Sequence, residues 1–389
     1  MPTPLVHEYV GAQAYANLPV EKRSQDIGVF YATDRRSRGP AEAREYGNGF
    51  SGHLSLGKTV VSCGKRPIHW KELVTLSTRH ERGEPIPLIV RDARELDTLP
   101  QTNGANFAAE VNKVLSTTRY PDITIYVVGA QSSFPQAVVE GAQFHHFMVR
   151  ETALIAYSWP STGKFLGYGR DVAICMESAP RLTDLIEFLA ANTSARRINL
   201  LSYSAGAQVL GPALAELRSR YPEETSATLR KQFRLGRVYL AAADIGFKKF
   251  AADYLPAFAD IVENVTVTYQ EKDKVLTFAQ KFHQGESRLG RPDPGELAGE
   301  EVRELERLAK EGKVDGIDMN YPSVSRPVNF ETHQYWFRNE WVSSDAIIQF
   351  LYGVSPGDRG LEKKPGIESW YFPEDYPARL REIVRKSGP

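Results

Sequence analysis

The sequence predicts an α/β protein with a mostly parallel central sheet flanked by helices. From Ile123 onward, short runs of β-branched and apolar residues alternate with longer segments that carry apolar residues at helical spacing. Strands that are buried on both faces and separated by helix-length segments are typical of β-α-β units. The five strand runs are ITIYVV (123–128), ALIAYS (153–158), INLLS (198–202), RVYLAAA (237–243) and NVTVTY (264–269).

The segments between these runs predict the crossover helices. They cover residues 135–150, 170–191, 206–221 and 246–261. Two neighbouring histidines, His145 and His146, fall inside the first of these helices. Because no carboxylate or cysteine stands at a ligand spacing from them, we expect them to pack within the fold and not to bind a metal.

The N-terminal segment predicts a different kind of structure. IGVFYAT (27–33) and FSGHLSLGKTVVS (50–62) alternate like half-exposed strands, with glycines and charged residues between them. We therefore expect residues 1–104 to form a β-rich extension that is packed on the core and extends or covers one edge of the sheet. Residues 105–389 would form the main α/β domain.

Composition limits the possible partners. Lysine and arginine total 48, as do aspartate and glutamate, so the net charge does not favour nucleic acid. Cys63 and Cys175 show no metal-binding or disulfide spacing. The first residues lack the pattern of a signal peptide and no run is long and apolar enough to span a bilayer, so we expect a soluble protein. A cytoplasmic protein and the mature form of an exported one both fit.

The segment INLLSYSAGAQVLGPAL carries the strongest chemical signal. It places Ser204 between a strand run and a helix in the pattern S-x-S-x-G, one residue from the G-x-S-x-G of a nucleophile elbow. Small residues are needed at such a turn, and Ser202 and Gly206 supply them. The alternative is that Ser202 or Ser204 simply caps the helix.

A nucleophilic serine needs a base and an orienting acid, which in this kind of sheet follow it in the order acid, then histidine. His333 lies in a loop before a closing amphipathic helix and is the better base, with His283 in reserve. Asp273 stands four residues after the strand run that ends at Tyr269, and is the preferred acid. Asp244, at the end of the preceding strand run, is the competitor.

The oxyanion of such a reaction is bound by backbone N–H groups. The residue after the nucleophile, Ala205, should supply one donor. Ala130, in the loop that follows the strand run 123–128, is the candidate for the second, since Gly129 beside it would let the backbone approach the substrate. The same residues would also serve a plain glycine turn.

With these residues in place, the chain resembles serine esterases of the α/β-hydrolase fold, most closely a bacterial branch catalogued as an α/β-hydrolase domain of unknown function. The matching segments are YATDR (31–35), YGNGFSGHLSLGKTVVS (46–62), SWPSTG (158–163), LSYSAGAQVL (201–210), AAADIGFKKF (241–250), YQEKDKVL (269–276) and THQYW (332–336). The resemblance implies the α/β-hydrolase fold and a triad of Ser204, Asp273 and His333. Two departures are Val128 in place of the usual histidine of the oxyanion loop and Ser202 in place of a glycine.

These residues predict a serine hydrolase that cleaves carboxylic esters through an acyl-enzyme, with a small-molecule ester as its partner and no cofactor or metal. An acyltransferase or amidase would use the same triad, and a binding protein that has lost catalysis is a further alternative. Candidates for the substrate pocket are Gln131, Trp159, Phe165 and Tyr203, although a core position for Trp159 is equally compatible with the sequence.

Residues 284–330 interrupt the pattern between the predicted acid and base. Leu297, Val302, Leu305 and Leu308 fall on one face of a helix within this insertion. Because the insertion begins and ends between two predicted site residues, the helix could act as a lid over the pocket. A surface helix that buttresses the sheet is the alternative.

Overall fold

The computed structural model describes residues 1–79, 86–163, 167–320 and 332–387. Its strands are β1 (Asp26–Arg38), β2 (Glu45–Cys63), β3 (Leu88–Val90), β4 (Arg94–Leu99), β5 (Ile123–Val127), β6 (Ala153–Tyr157), β7 (Ile198–Tyr203), β8 (Leu235–Ala241), β9 (Val262–Tyr269), β10 (Val314–Asp318), β11 (Glu362–Lys363) and β12 (Ser369–Tyr371).

The helices surround these strands. They are α1 (Leu5–Val10), α2 (Trp70–Ser77), α3 (Ala105–Leu115), α4 (Phe134–Phe147), α5 (Tyr168–Asn192), α6 (Ala207–Ser219), α7 (Ser226–Phe233), α8 (Phe247–Lys249), α9 (Leu255–Ile261), α10 (Lys274–Phe282), α11 (Gly299–Lys310), α12 (Tyr335–Arg338), α13 (Glu340–Tyr352) and α14 (Tyr376–Ser387). A π-helical segment, Phe250–Tyr254, joins α8 to α9.

In the part of the chain that the structure describes, twelve strands form one sheet. Eleven of them follow the order β11-β12-β10-β9-β8-β7-β5-β6-β1-β2-β3, and β4 pairs with β2. The eight neighbouring strands from β12 to β1 are parallel. Since the carboxyl ends of parallel strands meet at one edge, the loops after β5, β7, β8 and β9 gather there, where α/β proteins place their sites.

The five predicted strands are confirmed, and their ends differ from the predicted ones by no more than two residues. Every residue of β5 and β6 is buried, which explains why these runs are continuously apolar and do not alternate. The α/β class with a mostly parallel central sheet is therefore confirmed.

The N-terminal segment extends the sheet. Strand β1 pairs in parallel with β6 and antiparallel with β2, so the extension belongs to the same hydrogen-bonded sheet and the same core. The expectation of half-exposed strands is wrong for β1, in which residues 29–35 are all buried. The reason is its position, because β1 lies between β6 and β2 and not at an edge.

The predicted insertion contributes to the sheet as well. Helix α11 leads into β10, which pairs in parallel with β9 and β12. Leu308 is buried, and Leu305 lines a cavity of about 470 Å³ together with Val267 of β9 and Val314 of β10. This packing favours a helix that buttresses the sheet. A lid role for the segment stays a prediction, and residues 321–330 of the insertion lie outside the described residues.

Helix α13 was expected to be amphipathic, and that expectation is wrong. All residues from Val342 to Leu351 are buried. Its polar side chains are bonded inside the fold: Asp345 accepts a hydrogen bond from Nε of Arg359 at 2.5 Å, and Gln349 donates to Oγ1 of Thr266 at 2.7 Å. The polar residues at these positions are therefore hydrogen-bonded inside the protein, and their presence does not indicate a solvent-exposed face of the helix.

Candidate active site

Ser204 occupies the turn between β7 and α6 at the carboxyl edge of the sheet. Its backbone has a φ of +51°, which a residue with a side chain rarely adopts. The turn continues through a short 3₁₀ segment, Ser204–Gly206, into α6. The main-chain N–H of Asp244 donates to the carbonyl oxygen of Ser204 at 3.0 Å, which helps to hold this strained conformation.

Two glycines allow the turn to form. A Cβ on Gly206 would lie 2.6 Å from the carbonyl oxygen of Val127, so no larger residue fits there. A Cβ on Gly129 would lie 3.2 Å from the Cβ of Ser204, which shows how closely the loop after β5 approaches the serine. Ser202, in contrast, lies within β7, where the backbone is extended and glycine is not required.

The structure brings Ser204, His333 and Asp273 together. Nε2 of His333 lies 2.8 Å from Oγ of Ser204, and Nδ1 of the same ring lies 2.7 Å from Oδ2 of Asp273. Asp273 is the N-cap of α10, and its Oδ1 accepts a hydrogen bond from the N–H of Leu276 at 2.9 Å. A carboxylate oxygen beside Nδ1 favours a proton on that nitrogen and leaves Nε2 to face the serine.

Aromatic residues fix the position of His333. The ring of Tyr203 lies 5.3 Å from that of His333, centroid to centroid, and 5.8 Å from the ring of Trp336. Tyr335 anchors the same segment to the sheet, because its hydroxyl accepts a hydrogen bond from the N–H of Ala242 at 3.0 Å and lies 2.8 Å from Oγ1 of Thr268. Tyr203, for which a pocket position stays a prediction, thus contacts the ring of the histidine.

The side chains of the two reserve candidates are linked to each other through the Tyr168 hydroxyl, and in the described residues neither is hydrogen-bonded to Oγ of Ser204. Asp244 forms a buried ion pair with Arg288 at 2.7 Å, and its other oxygen accepts a hydrogen bond from the Tyr168 hydroxyl at 2.6 Å. That hydroxyl also lies 3.2 Å from Nε2 of His283. Burial and the Arg288 guanidinium lower the pKa of His283. The geometry thus favours Asp273 and His333 over Asp244 and His283.

The loop of residues 128–133 passes directly beside the elbow. Ala205 is buried at the start of the 3₁₀ turn, and Ala130 is half-buried in the loop. Gln131, another predicted pocket residue, has a φ of +60° and its N–H donates to Oδ2 of Asp171 at 3.2 Å. Both predicted oxyanion residues therefore lie in segments that meet at Ser204.

Trp159 and Phe165 were the remaining pocket candidates. Trp159 is 0% exposed, and its Nε1 donates to the carbonyl oxygen of Val128 at 2.6 Å. Because it has no surface from which to line a pocket, we correct its assignment from the pocket to the core. Phe165 lies outside the described residues.

Sequence reasoning missed two buried charged residues that hold the loop. Arg35 donates to the carbonyl oxygen of Ser132 at 2.5 Å, and Asp171 accepts from the N–H of Gln131. Both side chains are 0% exposed. The signal that the sequence offered was the pair of charged residues in YATDR, which directly follows the apolar strand run IGVFYAT.

The two histidines of α4 are buried. Nε2 of His146 lies 2.7 Å from Oγ of Ser77, and burial together with Arg150 and Lys22 lowers the pKa of His145 to about 3. The described residues contain no group of three His, Cys, Asp or Glu side chains arranged to hold a metal ion. Cys63 and Cys175 are both buried and not paired with each other. None of the described helices is long and apolar enough to cross a membrane.

A serine held at positive φ between a strand and a helix, at the carboxyl edge of a mostly parallel sheet, defines an α/β hydrolase. The chain belongs to the family described as "Alpha/beta hydrolase of unknown function (DUF900)", whose sequence profile matches residues 103–348.

Two further proteins are similar to parts of the chain. "Uncharacterized protein alr1448" of Nostoc sp. (strain PCC 7120 / SAG 25.82 / UTEX 2576) is 32% identical over 147 residues, which cover 32% of this chain and 38% of the relative. The crystal structure of the metagenomic carboxyl esterase MGS0156 is 16% identical with a TM-score of 0.22, and the match covers 52% of this chain and 50% of that one. The chain therefore spans half or less of the length of either protein.

Proposed function

We propose that this protein is a serine hydrolase that cleaves carboxylic esters through an acyl-enzyme on Ser204. One observation carries the proposal, namely the unbroken hydrogen-bonded path from Oγ of Ser204 through His333 to Asp273. A serine hydroxyl is a weak nucleophile at neutral pH, and an adjacent imidazole oriented by a carboxylate is the arrangement that activates it.

In the first half-reaction, Oγ of Ser204 attacks the ester carbonyl carbon while Nε2 of His333 takes the hydroxyl proton. Asp273 holds Nδ1–H of His333 and stabilises the imidazolium that forms. The tetrahedral oxyanion accepts hydrogen bonds from the N–H groups of Ala205 and Ala130. The carbon–oxygen bond to the leaving group then breaks, His333 returns the proton, and the alcohol departs.

In the second half-reaction, water attacks the acyl-enzyme. His333 takes a proton from the water, the tetrahedral intermediate forms again at the same two N–H groups, and Ser204 leaves with the proton that His333 returns. The carboxylic acid is the second product. Two steps through one covalent intermediate predict ping-pong kinetics.

A fluorophosphonate probe tests this proposal, because it reacts with an activated serine. We expect the probe to label the wild-type protein on the peptide that contains Ser204, and p-nitrophenyl esters to be hydrolysed. In Ser204→Ala, labelling should disappear and kcat should fall by several orders of magnitude, on the order of 10⁶ if the residue acts as a triad serine.

Ser202→Ala is the matched control. Ser202 is a buried serine two residues before Ser204, within β7, and it has no contact with His333 among the hydrogen bonds of the described site. This variant should keep both the label and the turnover. Label on another residue, or wild-type turnover in Ser204→Ala, would contradict the assignment of the nucleophile.

A further inference from the structure

We propose that Arg35 and Asp171 are positioning residues that hold the loop of residues 128–133 in the conformation required to bind the oxyanion. The inference rests on the proposed function. Neither residue touches Ser204 or His333 through any hydrogen bond of the described site, and both would act through the loop that carries Ala130.

The guanidinium of Arg35 connects β1 to three other segments of the chain, which are residues 47–48, residue 132 and residues 158–161. Nε donates to Oγ of Ser158 at 2.9 Å, and Nη2 donates to the carbonyl oxygen of Ser132 at 2.5 Å. Nη1 donates to the carbonyl oxygen of Gly47 and to Oδ1 of Asn48, each at 3.1 Å, and to the carbonyl oxygen of Ser161 at 3.3 Å. The planar fork of arginine can serve so many acceptors at once, whereas a lysine ammonium offers a single point.

Asp171, in the first turn of α5, holds the opposite side of the same loop. Its Oδ2 accepts hydrogen bonds from the N–H of Gln131 at 3.2 Å and from Oγ of Ser161 at 2.8 Å. Its Oδ1 accepts from the N–H of Thr162 at 2.7 Å. Ser161 completes the connection, because its Oγ accepts from the N–H of Ser132 at 3.2 Å.

The loop is therefore fixed through its main chain immediately after Ala130. The N–H groups of Gln131 and Ser132 are directed towards Asp171 and Ser161, and the carbonyl of Ser132 is directed towards Arg35. Gln131 has a φ of +60°, a conformation that costs free energy without outside support. These bonds supply that support, and they set the direction of the peptide planes around the proposed donor.

Charge burial makes the arrangement specific. Burial lowers the pKa of Arg35 to about 10, while the carboxylates of Asp34 and Asp171 oppose that change. A buried guanidinium is costly, and apolar residues could fill the same space more cheaply if packing were its only role. The guanidinium donates hydrogen bonds to five acceptors in the loop and in the segments around it, which apolar side chains could not do.

Loosening this loop should weaken stabilisation of the transition state more than it weakens binding of the substrate. An oxyanion donor is effective only if it is placed before the charge develops, and a shift of a fraction of an ångström is enough to weaken it. Loosening the loop should therefore lower kcat and leave KM nearly unchanged. It should also weaken the binding of a trifluoromethyl ketone, an inhibitor that forms a tetrahedral adduct with an activated serine.

The experiment compares Arg35→Lys, Asp171→Asn and Arg359→Lys with the wild-type protein and Ser204→Ala. Arg359 is the matched control, since it is an equally buried arginine whose partner is Asp345 of α13 and not the loop. For each variant, kcat, KM, the inhibition constant of the ketone and the melting temperature are measured.

We expect Arg35→Lys and Asp171→Asn to lose roughly 10- to 100-fold in kcat, with a similar loss of ketone affinity and little change in KM. Arg359→Lys should melt at a lower temperature while its kcat and ketone affinity stay within about twofold of the wild type. If Arg35→Lys does not fold, the kcat and ketone affinity of Asp171→Asn alone test the positioning role.

Wild-type kcat and ketone affinity in folded Arg35→Lys or Asp171→Asn would overturn the positioning role, while the Ser204→Ala result would leave the proposed function standing. Equal losses in Arg359→Lys would overturn it too, because they would show a general effect of stability. Wild-type turnover that does not depend on Ser204 would overturn both proposals.

Discussion

Oδ2 of Asp273 lies 2.7 Å from Nδ1 of His333, and the other oxygen of the same carboxylate caps helix α10 through the N–H of Leu276. Both oxygens of Asp273 are thus held, one by the imidazole and one by the helix. The residue that would orient the base is therefore fixed by a secondary-structure element that begins at the next residue.

This relationship predicts that Asp273→Asn will lose most of the ester-hydrolysing activity proposed for the protein. An amide can present its NH₂ group to Nδ1 and favour the wrong tautomer of His333, so we expect kcat to fall on the order of 10⁴. Asp244→Asn is the comparison, because Asp244 is bonded to Arg288 and Tyr168. It should reduce thermal stability more than kcat. The reverse pattern would place the acid on the preceding strand.

Gly206 offers a test of the elbow that changes no reactive group. A Cβ there would lie 2.6 Å from the carbonyl oxygen of Val127 and 2.9 Å from that of Val128, and main-chain atoms of a central strand have little room to move. We expect Gly206→Ala to cost about 3 kcal/mol or more of stability and most of the activity. Chemical denaturation and ester turnover measure the two effects.

Gly28→Ala is the control for that substitution. Gly28 lies in β1, where an added Cβ would meet no atom within 4 Å and the backbone φ is not positive. The control should unfold at nearly the same denaturant concentration as the wild type and keep its turnover. A tolerated Gly206→Ala would show that the elbow is looser than the distances indicate.

The sequence predicted much of the fold because buried parallel strands and their crossover helices leave local patterns. The order serine, acid, histidine singled out Ser204, Asp273 and His333 before any contact was known, and the structure joins their side chains by hydrogen bonds. The contact itself joins residues far apart in the chain, and local periodicity carries no information on such distances.

The errors have the same origin. Trp159 is apolar enough for a pocket or a core, and its burial, together with the hydrogen bond to Val128, became known only from the structure. The polar residues of α13 suggested a solvated face, although their partners lie on other elements. Arg35 was overlooked because all five of its acceptors are distant in sequence or belong to the main chain.

Asp34 predicts a pH-dependent contribution to stability. Burial raises the pKa of this carboxyl to about 6, above its value of 3.8 in the unfolded chain. The folded state therefore binds the proton of Asp34 more tightly than the unfolded chain does. The stability that this proton contributes is lost as pH rises from about 4 through about 6. Asp34→Asn cannot ionise, so it should gain stability relative to the wild type over that window, by on the order of 3 kcal/mol.

Denaturation at pH 4.5 and at pH 8 measures this difference. We expect the gap between Asp34→Asn and the wild type to widen in favour of the variant at the higher pH. If the difference in stability between Asp34→Asn and the wild type were the same at both pH values, the pKa of Asp34 would be the same in the folded and unfolded states, which would contradict the prediction.

The last prediction concerns helix α11 and whether it buttresses the sheet or covers the site. Leu308 is 2% exposed, and α11 leads directly into β10. Truncating a buried leucine removes its packing and leaves a cavity, which costs about 2–5 kcal/mol. We expect Leu308→Ala to lower the melting temperature and to leave the preference among p-nitrophenyl esters of increasing acyl length unchanged. Arg303→Ala, on the exposed side of the same helix, is the control and should change neither. If Leu308→Ala shifted the preferred acyl length while the melting temperature stayed constant, the helix would act as a lid, and its packing against β9 and β10 would not be what holds it in place.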